Sequence, residues 1–152
     1  MKNTFFIPTI LLCLAGLFTL ASCSKDDSSN DNSVTNVQNT VQAGTWRITS
    51  FIDSGDDETN HFNGFSFTFA GNNVLTASIG TSTYTGTWSI DDDNSNDDSI
   101  DDLHFNILFN LSNDFEELNE DWHIISRTST RIELTHVSGG NGGTDYLTFE
   151  KV

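Results

Sequence analysis

The sequence predicts an all-β fold, an eight-stranded antiparallel up-and-down barrel, and three observations carry that prediction. Apolar residues recur at every second position through most of the chain after residue 43, no proline follows Pro8, and the intervening segments are short and rich in Gly, Asn, Asp and Ser. Alternation gives each strand one apolar and one wet face, the signature of antiparallel sheets. Short polar connections suit hairpins. Closure into a barrel removes the exposed edges that eight sequential strands would otherwise leave. A two-sheet β-sandwich satisfies the same pattern and stands as the alternative.

The elements follow in order. The first strand is read at 45–52, and the second at 62–70, where Phe65, Phe67 and Phe69 alternate with small or polar residues. A tight turn at Gly71-Asn72-Asn73 leads to 74–79. In 82–90, Tyr84, Trp88 and Ile90 share one phase, as Leu103, Phe105, Ile107 and Phe109 do in 102–110. A single helical turn is expected near 113–118, capped by Ser112-Asn113-Asp114. Strands at 121–128, 131–137 and 144–151 complete the set. Phase assigns Trp46, Ile48, Leu75, Ala77, Ile79, Trp122, Ile124, Ile132, Leu134, Leu147 and Phe149 to the interior as well. Phe51 and Leu108 are the apolar residues that fall outward, a hint of a contact surface. A three-residue loop at 128–130 pairs Ile124 with Leu134 and Trp122 with His136, which keeps apolar residues together and keeps His123 and His136 from facing each other.

The N-terminal 22 residues have a different character. One lysine precedes an almost unbroken apolar run at 5–20, and small residues close it, the layout of a secretory signal. The run is shorter than the ~20 residues a membrane-spanning helix needs. Leu20-Ala21-Ser22-Cys23 resembles the lipobox of bacterial lipoproteins, which implies cleavage after Ser22 and acylation of Cys23. The following Ser24-Lys25-Asp26-Asp27-Ser28 is similar to the acidic export signal of surface lipoproteins of the Bacteroidota. Residues 1–22 are therefore read as a lipoprotein signal peptide, and 23–42 as an acylated cysteine with a disordered acidic tether too poor in apolar surface to order itself. The remaining 43–152 form one domain.

Charge narrows the range of partners. The chain carries 22 acidic and 6 basic residues, a net charge of −16. Removing the signal takes away Lys2 and no acid, so the mature chain stands at −17. A surface of that sign repels phosphate backbones and anionic lipid, so nucleic acid is not an expected partner. The membrane is reached through the lipid at Cys23, and the domain is expected to be a monomer.

Gly44-Thr45-Trp46 at the start of the first strand resembles the Gly-x-Trp signature of lipocalin-like barrels. The same Gly-Thr-Trp at 86–88, the acidic Phe115-Glu116-Glu117-Leu118 segment, Asp121-Trp122-His123 and the Gly-rich closing loop make the domain similar to small lipocalin-like lipoproteins of the Bacteroidota. The resemblance implies a lipocalin-like barrel anchored in the outer membrane and exposed at the cell surface. The domain is shorter than the usual lipocalin and lacks the long closing helix and the cysteine pair.

Eight-stranded barrels either fill with side chains or hold one small ligand. If a pocket exists, Phe67, Tyr84, Trp88, Phe105 and Trp122 are its expected walls, with His136 at the mouth, and the ligand is mainly apolar. If the interior is filled, the expected role is that of an accessory partner in an envelope complex.

No catalytic residues, cofactor or metal site are expected. The mature chain has no thiol once Cys13 has left and Cys23 is a thioether, and it lacks a Gly-x-Ser-x-Gly elbow. The Gly-rich 138–143 leads into a strand, whereas phosphate loops lead into a helix. The acidic 91–98 segment resembles a calcium loop but lacks the glycine and glutamate such loops need, so no tight calcium site is expected. Asp98-Ser99-Ile100 resembles a short O-glycosylation acceptor, which marks Ser99 as a modification candidate.

Overall fold

The structure, a computed structural model, describes residues 33–93, 100–139 and 142–152. Cys23, the signal segment and Ser99 lie outside the described residues. A helix α1 (Val34–Gln42) precedes the strands β1 (Thr45–Asp53), β2 (Asp56–Asp57), β3 (Ser66–Phe69), β4 (Val74–Ile79), β5 (Ser82–Asp92), β6 (Leu103–Leu108), β7 (Asp121–Arg127), β8 (Arg131–Val137) and β9 (Thr144–Lys151). Short 3-10 turns occupy Thr59–Phe62, Ile100–Asp102 and Asp114–Leu118.

All strand pairings are antiparallel, and β9 returns to pair with β1, so β1 and β3 to β9 close an eight-stranded barrel. Two-residue β2 is the extra strand, folded back on the end of β1 by the positive-φ pair Ser54 and Gly55. Of the two predicted architectures, the barrel is the one formed. The turn at 71–73 also forms, with Asn73 in the left-handed region that asparagine tolerates. Gly86 on β5 lets the chains approach closely, because a Cβ there would lie 2.5 Å from the carbonyl oxygen of Leu108 and 2.8 Å from the Phe109 ring.

The structure departs from the sequence expectation at four places. Residues 34–42, expected as tether, form α1, because Val34, Val37 and Val41 recur at helical spacing and lie on one face. Val37 and Val41 are fully buried, so the folded unit includes α1 and does not start at residue 43. Phe51, expected to face outward, is buried, because a β-bulge between Ile48 and Ser50 inserts one residue and reverses the phase of β1. The strand expected over 62–70 is shorter, since Phe62 ends a 3-10 turn and β3 begins at Ser66. Ile79 is 38% exposed, carried out of the core by the tight turn at Gly80. Leu108 faces outward as expected.

Both ends of the barrel are stoppered by the chain itself. At one end α1 lies against β3 and β5, and Trp46 beneath it donates from Nε1 to the carbonyl of Val41. At the other, the Asp114–Leu118 turn, capped through Asn113, drives Phe115 and Leu118 inward. Phe115 meets Phe109 at 4.7 Å, Phe65 at 5.2 Å and Phe62 at 5.6 Å between ring centroids. Asn119 holds this stopper in place by pairing through both side-chain atoms with the backbone N–H and C=O of Phe109.

Candidate functional site

Of the residues expected to line an internal pocket, Phe67, Trp88, Phe105 and Trp122 belong to the buried core. Phe67, Phe105 and Trp122 are completely buried and Trp88 nearly so. Their rings meet other rings of the chain: Phe67 lies 5.5 Å from Phe149, Trp88 lies 5.9 Å from Phe105, and Trp122 lies 6.4 Å from Phe51. Tyr84 is partly buried against Phe115 at 4.9 Å. Edge-to-face and tilted contacts join these rings into one core cluster with Phe69 and Phe149. His136 stands at the rim with its ring centroid 6.2 Å from that of Trp122, as the predicted hairpin register requires, and it bonds the carbonyl of Asp121 through Nδ1. Ile124 pairs with Leu134, and His123 faces Thr135 rather than His136.

The open space lies to the side, where β1 and β3 part. These strands pair only at Thr45 with Thr68 and Trp46 with Phe67. Beyond them β1 regains a strand neighbour on that side only at Ile52, opposite Asp57. Residues 47–50 therefore have no strand partner on one edge among the described residues. At Phe51 the edge is already closed: its carbonyl accepts from the Glu58 N–H at 3.0 Å and from the Thr59 hydroxyl, which in turn accepts from the Phe51 N–H at 2.8 Å. A cleft of about 440 Å³ lies along the gap, with Ile48, Phe62 and Phe65 as apolar walls, Thr49, Thr59 and Ser66 as polar ones, and Arg47 at its margin.

Two histidine clusters flank the barrel, and both draw their members from distant parts of the sequence. Near the cleft, His61 places Nε2 3.0 Å from Glu58 and Nδ1 3.5 Å from Glu117. On the outer face, His104 sits between Asp93 at 3.0 Å and Asp121 at 2.7 Å, and its ring lies 4.3 Å from that of its cross-strand neighbour His123. Periodicity did not reveal either cluster. Glu58 and His61 stand in a loop with no regular pattern, and Glu117 lies far from them in sequence. The His104 to His123 pairing depends on the register of β6 against β7 across the long 109–120 connection, which no turn motif fixes.

A carboxylate network sits at the α1 end. Arg131 bonds Glu133 at 2.7 Å and Glu150 at 2.6 Å, and Ser126 donates its hydroxyl to Glu133. These donors hold the Glu133 carboxyl below the usual range, the Ser126 hydroxyl having the largest effect and Arg131 the next.

No family model and no curated protein matches the sequence. Among solved structures, a DUF4847 family protein from Bacteroides vulgatus ATCC 8482 is similar, with 21% sequence identity over 75% of this chain and 96% of that one and a TM-score of 0.48.

Proposed function

We propose that the chain is a non-catalytic binding module of the cell envelope, anchored to the outer membrane through acylated Cys23 and exposed at the cell surface, and that it engages an envelope protein partner through the cleft between β1 and β3. The observation that supports this reading is the pairing gap on β1 at residues 47–50 beside a cleft with both apolar and polar walls. An extended segment that adds to such an edge gains main-chain hydrogen bonds, while pockets beside it select its side chains. The ring contacts among the buried core residues support this accessory role over ligand carriage.

A second reading, an apolar small molecule held in the same cleft, is favoured by the cleft volume, which falls within the ~300–1,000 Å³ typical of ligand sites.

Native mass spectrometry of the full chain, extracted gently from cells, separates the two. A bound mass of a few hundred daltons that is lost on denaturation favours the small molecule. For the partner reading, a photo-crosslinking residue at Asn63, beside the cleft, should capture one defined envelope protein, while the same residue at Asn72, in the β3–β4 turn, should not. Capture at both positions or at neither defeats it.

A further inference from the structure

We propose that Glu58, His61 and Glu117 form a binding site for a divalent transition-metal ion of the zinc class, a role independent of what occupies the cleft. One nitrogen of His61 and one carboxylate oxygen from each glutamate lie within 4.8 Å of one another, and because Glu58 faces Nε2 and Glu117 faces Nδ1, one carboxylate must swing to the ligating nitrogen for all three to reach one ion. Zinc takes ligands of this kind at ~2.0–2.2 Å and tolerates three protein ligands with a fourth position open. The imidazole selects against calcium and magnesium, which prefer all-oxygen surroundings.

Two further features set this trio apart from an ordinary acidic surface. The first is charge: the partner that Glu58 and Glu117 share is the His61 imidazole, neither of them pairs with a Lys or Arg among the described residues, and each is only about one-third exposed. With a neutral imidazole, as metal ligation requires, the site carries two negative charges that one divalent ion would offset. The second is rigidity. His61 belongs to the Thr59–Phe62 turn, Glu58 immediately precedes it, and Glu117 belongs to the Asp114–Leu118 turn. Buried Phe62 and Phe115 anchor the two turns, and their rings touch at 5.6 Å. The backbones that carry the ligands are thus fixed against each other before any ion arrives, which lowers the cost of assembling the site. A bound ion would join His61 and Glu117, 56 residues apart, at the end of the barrel that Phe115 closes.

The test is a titration of the untagged full chain in detergent with zinc chloride, followed by calorimetry at pH 7.5 and pH 5.5 after removal of metal with chelator. The expected result is one ion per chain that binds more weakly at pH 5.5, because the imidazole must shed its proton to ligate. Glu117→Gln and His61→Ala should each weaken binding by more than the ~10- to 100-fold loss that follows changing a residue that only orients a ligand. His123→Ala, in the other cluster, should leave the affinity unchanged. Binding that survives Glu117→Gln, binding lost only in His123→Ala, or no binding by the parent chain overturns the proposal. Glu58→Gln decides the matter should His61→Ala fail to fold.

Discussion

The indole Nε1 of Trp46 donates a 2.7 Å hydrogen bond to the carbonyl of Val41, and both side chains are completely buried. The bond joins the last turn of α1 to the first strand, satisfies one of the carbonyls a helix leaves open at its C-terminal end, and places the indole under the helix as the floor of the core. The ammonium group of Lys151 lies 5.5 Å from the centre of the same ring. The helix therefore belongs to the domain. Val37→Ala and Val41→Ala should each cost about 2 kcal/mol, the scale for deleting two buried methyl groups with partial collapse of the space. In a domain of this size that lowers the midpoint of thermal unfolding by about 8 °C, measurable by circular dichroism. A chain starting at Ala43 that melted as high as one starting at Ser33 would show that α1 contributes nothing.

Gly86 presents the opposite case, a position where added volume has nowhere to go. Its missing Cβ would collide with the backbone carbonyl of Leu108, which cannot rotate away, as well as with the Phe109 ring. Gly86→Ala should destabilise by about 1–3 kcal/mol, the usual cost of overpacking a close approach. Urea unfolding should show a lower midpoint with an unchanged slope. An equal or higher midpoint would mean that β5 and β6 slide apart at little cost.

The barrel was legible in the sequence because its strands alternate cleanly: Phe67 and Phe69, or Leu103, Phe105 and Ile107, announce their face without reference to any neighbour. Phe51 was misplaced because a bulge is a pairing event. Nothing within 45–53 shows that one residue will be skipped opposite β9, yet the skip moves Phe51 from the outer face to the core. The helix was missed because three valines among polar residues are too few to offset ordering entropy alone. Their burial depends on Trp46 and on the open end of a barrel that local sequence does not display. The cleft and the Glu58–His61–Glu117 trio were hidden for a related reason, since both arise where strands part and distant turns meet.

Asp145 fixes the β1–β2 turn from across the barrel seam. It is buried, and Oδ1 accepts from the backbone N–H of Ser54 at 2.7 Å, where Ser54 adopts a positive φ of 50°. A non-glycine residue in that region needs support from its surroundings. Asp145→Ala would leave the N–H without its acceptor and should cost about 1–3 kcal/mol. Hydrogen exchange should locate the change, with protection lost at Ser54 and its neighbours while α1 keeps its own. Retained protection at Ser54 would mean that water replaces the carboxylate without loss.

Glu133 makes the stability of the domain depend on acid. Its carboxyl is held below the usual range by the Ser126 hydroxyl and by Arg131, so it binds a proton less readily in the folded chain than in the unfolded one. A depressed carboxylate stabilises the fold fully above the unfolded value, near 4.5, and loses that contribution as pH falls through the lower, folded value. The exposed setting of the pair and its screening by salt keep the effect modest. Glu133→Gln should therefore be less stable than the parent chain at pH 7, and the gap between them should narrow below pH 4.5. Chemical denaturation at pH 7, 5, 4 and 3 measures that gap directly. A gap that stays constant over the series would mean that Glu133 acts through packing and neutral hydrogen bonding, with its charge contributing nothing.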